Sequence, residues 1–344
     1  MITSTATEKQ IHFSIFLPVR NGGSYLKDCV QSVLSQTYPY FEFHVLDNNS
    51  TDGTVSWLTG LTDSRLCIWR SSVSLSIEDS WARIKDIPKQ EFMTFLGHDD
   101  IFDPHYLEIM RTLIEKYPEA SLYETGSRLI NAQGKTIRRC HLVAEREEAA
   151  QYLAARLMYR RDGLGTGFVM RSNDYDRLGG IPAYEKLLFA DDALWLELTK
   201  LSWKAADPRE AFAVRIHDQS VSALPAWQST LLGLNQFTDF LEHFIKQDEA
   251  SRDVYHRLGA SFLLSYHRNI YIYALVEACR NGKNINTDIL RQIESSLTKR
   301  APGVAGHISH SFKVKILKIM NGSFLRSQAE RLWKLYYILK TRSL

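Results

Sequence analysis

The sequence predicts an α/β protein: a mostly parallel β-sheet flanked by helices, with an α-helical C-terminal extension. Two observations predict it. Short apolar runs alternate with amphipathic stretches through the first hundred residues, the spacing of βαβ units. Three of those runs end in polar groups, at Arg20-Asn21, Asp47-Asn48-Asn49 and Asp99-Asp100. Right-handed crossovers put such ends on one edge of the sheet, where open α/β sheets bind ligands. At 344 residues the chain has room for two domains, or for one large domain with an extension. Its net charge of +3 is too small to imply nucleic-acid binding.

Ile11–Pro18 reads as the first strand. Asn21–Ser24 is a turn in which Ser24 can cap a helix, and Leu26, Val30, Val33 and Leu34 give that helix one buried face. Tyr38-Pro39 ends it. Phe41–Leu46 is the second strand, and Ser50 or Thr51 is the expected cap of a helix through Val55, Trp57 and Leu58. Leu66–Arg70 is the third strand, and Ile77–Ile84 the next helix.

The fourth strand, Phe92–Leu96, is an apolar run that stops at Gly97 and delivers Asp99 and Asp100. Two adjacent carboxylates repel each other, and a cation or a hydroxyl-rich ligand relieves the repulsion. Oxygen donors of this kind suit Mg2+ or Mn2+, which in turn suit a diphosphate. The plain alternative is a solvated Asp-Asp turn ahead of a helix that begins near Asp103-Pro104.

The stretch from Pro18 to Thr54 resembles the opening of the family 2 glycosyltransferases, which have the GT-A fold, a Rossmann-like arrangement. The elements that match are Asn21, Ser32, Gln36, Thr37, Tyr38, Glu42, Asp47, Asn48, Ser50, Asp52 and Thr54, and the resemblance extends over about 11–220. It implies a nucleotide-sugar site with Pro18 to Arg20 beside the base, Asp47-Asn48 hydrogen-bonded to it, and Asn21 as a further binding residue. Arg70 and Arg215 are further candidates for the nucleotide-sugar, and Asp99 for its ribose or for the metal. The implied cofactor is Mn2+ or Mg2+, with Asp100, Asp99 and His217 as candidate ligands. Two residues depart from the family pattern: Asn48 replaces an acid, and Gly97 stands where the leading acid of a D-x-D motif would be.

Ser121–Arg139 reads as a strand pair turning at Asn131–Gly134, and Glu145–Tyr159 as a helix. Gly163–Leu198 resembles the family's acceptor segment, ending in Asp191-Asp192 at the start of a helix. Acids in a first helical turn are favoured by the helix dipole, so an N-cap is the plain reading. The resemblance makes Asp192 the general base that takes a proton from the acceptor hydroxyl, with Asp191 as the alternative. Ala211–Ser222 is a strand and polar loop carrying Arg215 and His217.

The last third reads as helices over Leu231–Ile245, Ser251–Cys279, Asp288–Leu297 and Ser323–Lys340, interrupted at Ala301–Gly303. The final 34 residues hold eight Lys or Arg and one acid among aromatic residues. Such a helix can lie on an anionic membrane surface, pack on the catalytic domain, or pair into a homodimer.

The domain division expected is a flexible N-terminus (1–10), a nucleotide-sugar half (11–130), an acceptor half (131–224) and a helical C-terminal region (225–344). Four dispersed cysteines point to a reducing compartment and away from structural zinc. With neither a signal peptide nor a run of about 18 apolar residues, a cytoplasmic protein is expected, with the inner face of the membrane as an alternative. The function implied is inverting sugar transfer from a nucleotide donor, expected to be a UDP-sugar, to a lipid-linked or growing glycan in surface polysaccharide synthesis. The rivals are a catalytically degenerate nucleotide- or glycan-binding protein and a nucleotidyltransferase. Against the last, the stretch from Asn21 to Lys27 is a poor phosphate loop.

Overall fold

The structure is a computed structural model that describes residues 10–142, 144–217, 226–280, 287–310 and 314–315. Residues 1–9, residues 218–225 and the expected helix 323–340 with most of the basic run lie outside the described residues. The chain divides into two compact units. One holds residues 1–149, 163–183 and 194–216; the other holds 150–162, 184–193 and 217–344.

The first unit is built on a ten-stranded sheet. Strand β1 (Phe13–Val19) is wholly buried and pairs in parallel with β2 (Phe41–Asp47) and with β4 (Phe92–Phe95). β2 pairs in parallel with β3 (Leu66–Arg70), which forms one edge. Beyond β4 the sheet becomes mixed. β9 (Phe168–Arg171) runs antiparallel to both β4 and β6 (Leu122–Ile130), and β6 lies parallel to β10 (Lys204–Arg215). The short strands β5 (Ile101–Phe102), β7 (Thr136–Arg139) and β8 (Arg146–Glu147) add antiparallel to this half.

Helix α1 (Tyr25–Leu34) buries Leu26, Cys29, Val30 and Val33, the face its spacing predicts. With α4 (Tyr106–Lys116) it contributes to one core that also takes Phe13, Ile15, Val45, Phe92, Phe102 and Phe212. Phe102 stacks on Tyr106 at 3.9 Å between ring centroids. The smaller helices of this unit are α2 (Thr54–Thr59), α3 (Ile77–Ala82) and α6 (Ser172–Arg177).

Four sequence expectations change. Neither Ser50 nor Thr51 caps α2, whose N-cap is Gly53 in the left-handed region. Both residues instead tie β2 to β1, as described below. Ser24 is the N-cap of α1 but makes no side-chain cap bond. The helix expected from Glu145 begins later, as α5 (Ala149–Leu157), because Arg146-Glu147 is drawn into the sheet. There Lys204, fully buried, sits 2.7 Å from both Glu124 and Glu147. β10 likewise starts at Lys204 rather than Ala211; its polar Asp207–Glu210 stretch lies at a register irregularity that hides the strand pattern.

The second unit is helical. It contains α5, the first turn of α7 (Ala190–Leu201), α8 (Trp227–Phe244), α9 (Glu249–Arg280), α10 (Thr287–Arg300) and α11 (His307–His310). Its long helices are joined by polar links as well as packing. Asn235 of α8 accepts from Ser296 (2.7 Å) and Arg300 (3.0 Å) of α10, and His267 of α9 meets Ser296 at 3.1 Å. Burial pushes His267 down to about 4, so the ring is neutral at pH 7.

Gly167 has φ +83, and a Cβ there would collide with the Phe212 ring. Gly167→Ala should therefore lose about 1–3 kcal/mol of stability through both strain and overpacking. Urea unfolding of the variant against the wild type measures this.

Candidate active site

The carboxyl ends of β1, β2 and β4 fall on one edge because the three strands are parallel and adjacent. The β1 and β2 ends are fastened to each other by side-chain to backbone bonds. Asn21, with φ 52, donates its N–H to Ser50 Oγ (2.8 Å), and its Oδ1 accepts from Thr51 N (2.8 Å). Gly22 N donates to Thr54 Oγ1 (3.0 Å) and Gly23 N to Asp52 Oδ2 (3.2 Å). Polar residues in this loop thus fix the edge itself.

Arg20, Asn21 and Arg70 are exposed on this edge, Pro18 is buried within β1, and Arg70 lies in register with Asp47. Asp47 is fully buried, and both of its oxygens accept from Ser50 N at 3.3 Å. Asn48 is engaged too: its Oδ1 accepts from Leu75 N (2.8 Å) and its Nδ2 donates to Leu75 O (3.0 Å). The amide that replaces the family acid therefore clamps the β3–α3 loop.

The acid pair after β4 is held from several directions. Asp100 is buried; its Oδ1 accepts from Arg215 N (3.0 Å) and its Oδ2 from Thr166 Oγ1 (3.1 Å). Burial, and then the charge of Asp99, pushes Asp100 up to about 8. Asp99 is partly exposed. A Cβ at Gly97 would lie 2.7 Å from Asp100 Oδ2 and 3.1 Å from Asp99 Oδ1. Both carboxylates thus converge on the place where the family's leading acid would stand, and only glycine leaves them room.

Arg215 is 3% exposed, and its guanidinium is taken up within the protein. Nε donates to Asp99 O (2.9 Å), Nη1 to Ala132 O (3.2 Å) and Asn131 O (3.4 Å), and Nη2 reaches Asp28 (3.5 Å). The group also lies 4.7 Å from the centre of the Tyr25 ring. His217, just past β10, is partly exposed.

The chain after the acid pair is pinned by residues of the Ser32–Tyr38 motif. Ser32 Oγ accepts from Phe102 N (3.2 Å), Gln36 Nε2 donates to Asp103 O (2.7 Å), and Gln36 Oε1 accepts from Leu107 N (3.0 Å). Arg128 grips Asp103 with two bonds of 2.6 and 3.0 Å.

Among the described residues no three Asp, Glu, His or Cys side chains gather as a metal-binding group. The donor chemistry nevertheless fits a hard divalent cation that takes two carboxylates and completes its shell with phosphate and water. Burial is the main cause of the raised pKa of Asp100, and the repulsion from Asp99 that adds to it is what such a cation would relieve.

In the helical unit the second acid pair opens α7. Asp192 is buried and paired with buried Arg156 of α5 through two bonds, Nε to Oδ1 at 2.7 Å and Nη2 to Oδ2 at 2.8 Å. Arg156 Nη2 also donates to Tyr266 OH of α9 (3.1 Å). Asp191 stays partly exposed. Burial and the charge of Asp192 push it up to about 7, against the opposing pull of Arg156.

A family model described as glycosyl transferase family 2 matches residues 14–168, the stretch that carries the strand ends and the first acid pair. Over these residues the chain is similar to glycosyl transferase family 2. An uncharacterized glycosyltransferase of Rickettsia typhi is 24% identical over 303 residues, covering 83% of this chain and 91% of its own length. Glycosyltransferase GlyG of Streptococcus pneumoniae is 26% identical over 105 residues, 30% of this chain and 35% of the relative. Among solved structures, S. aureus TarS 1–349 in complex with UDP-GlcNAc matches with a TM-score of 0.57 at 13% identity, covering 94% of this chain and 92% of that one. A mannosyltransferase of Pyrobaculum calidifontis in complex with GDP-Man and Mn2+ matches with a TM-score of 0.52 at 12% identity, covering 95% and 88%. At these identities the likeness is one of fold, and the fold is GT-A-like. No described helix is long and apolar enough to cross a membrane.

Sequence reading missed three residues that hold the candidate groups in place. Arg83 donates to Asp47 O (3.1 Å) and Trp69 O (2.6 Å), joining the β2 and β3 ends. Thr166 holds Asp100, and Arg156 holds Asp192. Arg83 and Arg156 stood in helical segments with no motif around them; Thr166, in a glycine-rich run, offered a weak signal.

Two expected outcomes follow from the Asp191–Asp192 pair. Arg156→Met strands a buried carboxylate and should cost about 3–5 kcal/mol, read by urea unfolding. Asp191 has a folded pKa raised from 3.8 to about 7, so its contribution to stability is full below about pH 4 and is lost as pH rises to about 7. Asp191→Asn should flatten that slope, raising the unfolding midpoint relative to wild type more at pH 8 than at pH 5.

Proposed function

We propose that the protein transfers a sugar from a nucleoside-diphosphate donor to a hydroxyl of a glycan, with inversion at the anomeric carbon. The observation that carries this reading is the meeting of the β1, β2 and β4 ends on one sheet edge, with Asp99 and Asp100 converging over Gly97. A UDP-sugar is the first donor to test. Arg20, Asn21, Asp47 and Arg70 are assigned to the nucleotide end, with Asp99 and Asp100 nearest the diphosphate.

Asp191 is assigned as the general base. It is the partly exposed member of its pair, and its pKa near 7 matches a base that works at neutral pH. It takes the proton of the acceptor hydroxyl while that oxygen bonds to the anomeric carbon, and the bond from that carbon to the diphosphate breaks. Asp192, the base that the family resemblance implied, is given a positioning role, because both of its oxygens are engaged by Arg156. Burial is the main cause of the raised pKa of Asp191, and the neighbouring Asp192 adds to it. Arg215 is likewise assigned to hold the Asp99–Asp100 turn rather than to contact phosphate. A divalent cation at Asp99 and Asp100 would offset charge on the departing diphosphate. The acceptor setting proposed is a lipid-linked or growing surface glycan at the cytoplasmic face of a membrane, on the strength of the family resemblance.

A second reading, nucleotide or glycan binding without turnover, draws on the engagement of Asn48 with Leu75 and of Asp192 with Arg156. Calorimetric titration with UDP, GDP and dTDP, with and without Mn2+, separates nucleotide sites of different base preference. One nucleotide should bind with a clear Mn2+ dependence, which Asp99→Ala should weaken at least about tenfold, the loss of one charge-assisted contact. In the transfer reaction, kcat/KM should rise with pH through an apparent pKa near 7. Asp191→Asn should abolish that rise and lower kcat by about 10²–10⁴-fold. Full activity in Asp191→Asn would return the role to Asp192, and inactivity of the wild type with every donor tried would favour the binding-only reading.

A further inference from the structure

The aromatic surface beside the second acid pair has no part in the reaction so far. Tyr159 follows α5 directly, is 38% exposed, and holds φ 57, a conformation rarely adopted by a bulky side chain. Its ring stacks on Tyr266 at 5.9 Å and 22° and lies 6.0 Å from Phe262. Tyr266 in turn meets Phe189 edge-on at 5.2 Å, and Phe189 stacks on Phe237 at 5.4 Å.

This surface is wired to the acids. Arg156 bonds Asp192 and Tyr266 with the same Nη2 nitrogen, so carboxylate, guanidinium, phenol and the Tyr159 ring form one continuous line inside the helical unit. The segment leading into Asp191 is also forced into shape. Lys186, Leu187 and Phe189 have φ 53, 56 and 65, three non-glycine residues in the left-handed region within four positions. Gln236 and Ser229 of α8 pin this segment by bonds to Glu185 N (2.8 Å) and Glu185 Oε1 (2.9 Å). Backbone strain of this kind persists only where the surroundings over-determine it, and it gathers at functional sites.

We infer that the Tyr159 and Tyr266 rings form an acceptor subsite for a pyranose ring of an oligosaccharide, one step beyond the ring whose hydroxyl faces Asp191. A pyranose offers an apolar C–H face and an equatorial rim of hydroxyls. A rigid, half-exposed aromatic ring suits the face, while a phenol that already accepts from Arg156 has its own O–H left to donate to the rim. The acceptor is accordingly a chain of at least two sugars, not a monosaccharide. This inference deepens the transferase reading and rests on it for the word acceptor.

The test uses the full chain and four probes: maltotriose, cellotriose, mannotriose and the trimer of N-acetylglucosamine. Binding is read by saturation-transfer NMR, with and without UDP and Mn2+. Tyr159→Gly removes the ring and is compatible with the left-handed backbone; Tyr159→Phe keeps the ring. At least one trisaccharide should bind wild type and Tyr159→Phe and lose at least fivefold in affinity in Tyr159→Gly, with UDP affinity unchanged. Equal binding by Tyr159→Gly, or binding of none of the four by wild type, overturns the subsite. Ring-dependent trisaccharide binding by a protein that binds no nucleotide would instead leave the subsite standing and defeat the transferase reading.

Discussion

The sheet unit depends on one buried carboxyl group. Asp100 is out of water, beside another carboxylate, and it is tolerated because each of its oxygens has a donor. Those donors come from the far ends of the chain segment: Thr166 precedes β9, and Arg215 ends β10. The arrangement couples the parallel half of the sheet to the mixed half through a group with an ionisation cost of its own. Around it the glycosyltransferase motif residues act mainly as fasteners. Ser32, Gln36 and Thr37 hold the chain from Phe102 to Leu107, which leaves the Asp99–Asp100 turn little freedom.

The helical unit solves a related problem differently. Its two adjacent acids are separated by environment. Asp192 takes the guanidinium of Arg156 and is inaccessible, whereas Asp191 keeps a partly open position and an elevated proton affinity. Two adjacent acids held in such different surroundings are suited to different tasks. A buried ion pair of this sort contributes little net stability as an intact unit and is costly to break from one side.

The parallel β1–β4 core was legible because its strands are short apolar runs ended by polar clusters, and α1 because its apolar positions recur at helical spacing. The acid pairs were legible by motif. What escaped was set by contacts between distant positions. Glu147 joins a strand because Lys204 needs counter-charges; Ser50 and Thr51 bond to Asn21 instead of capping a helix. Arg156 and Arg83 acquire roles only through the three-dimensional neighbours that receive their N–H groups. Arg215 was legible as a cation near the pair, but its burial and its bonds within the protein are properties of the closed fold.

Cys29 lies beneath the same turn, fully buried, with its Sγ donating to Gly97 O at 3.3 Å. Burial and the two nearby aspartates raise its pKa well above that of an ordinary thiol. A thiol so protected is almost inert to alkylating reagents while the turn is closed, whereas Cys67 and Cys140 are partly exposed. Its slow modification is therefore a native clock for the opening of the acidic turn. The rate at which a reagent captures Cys29 reports how often that segment breathes, with no label introduced.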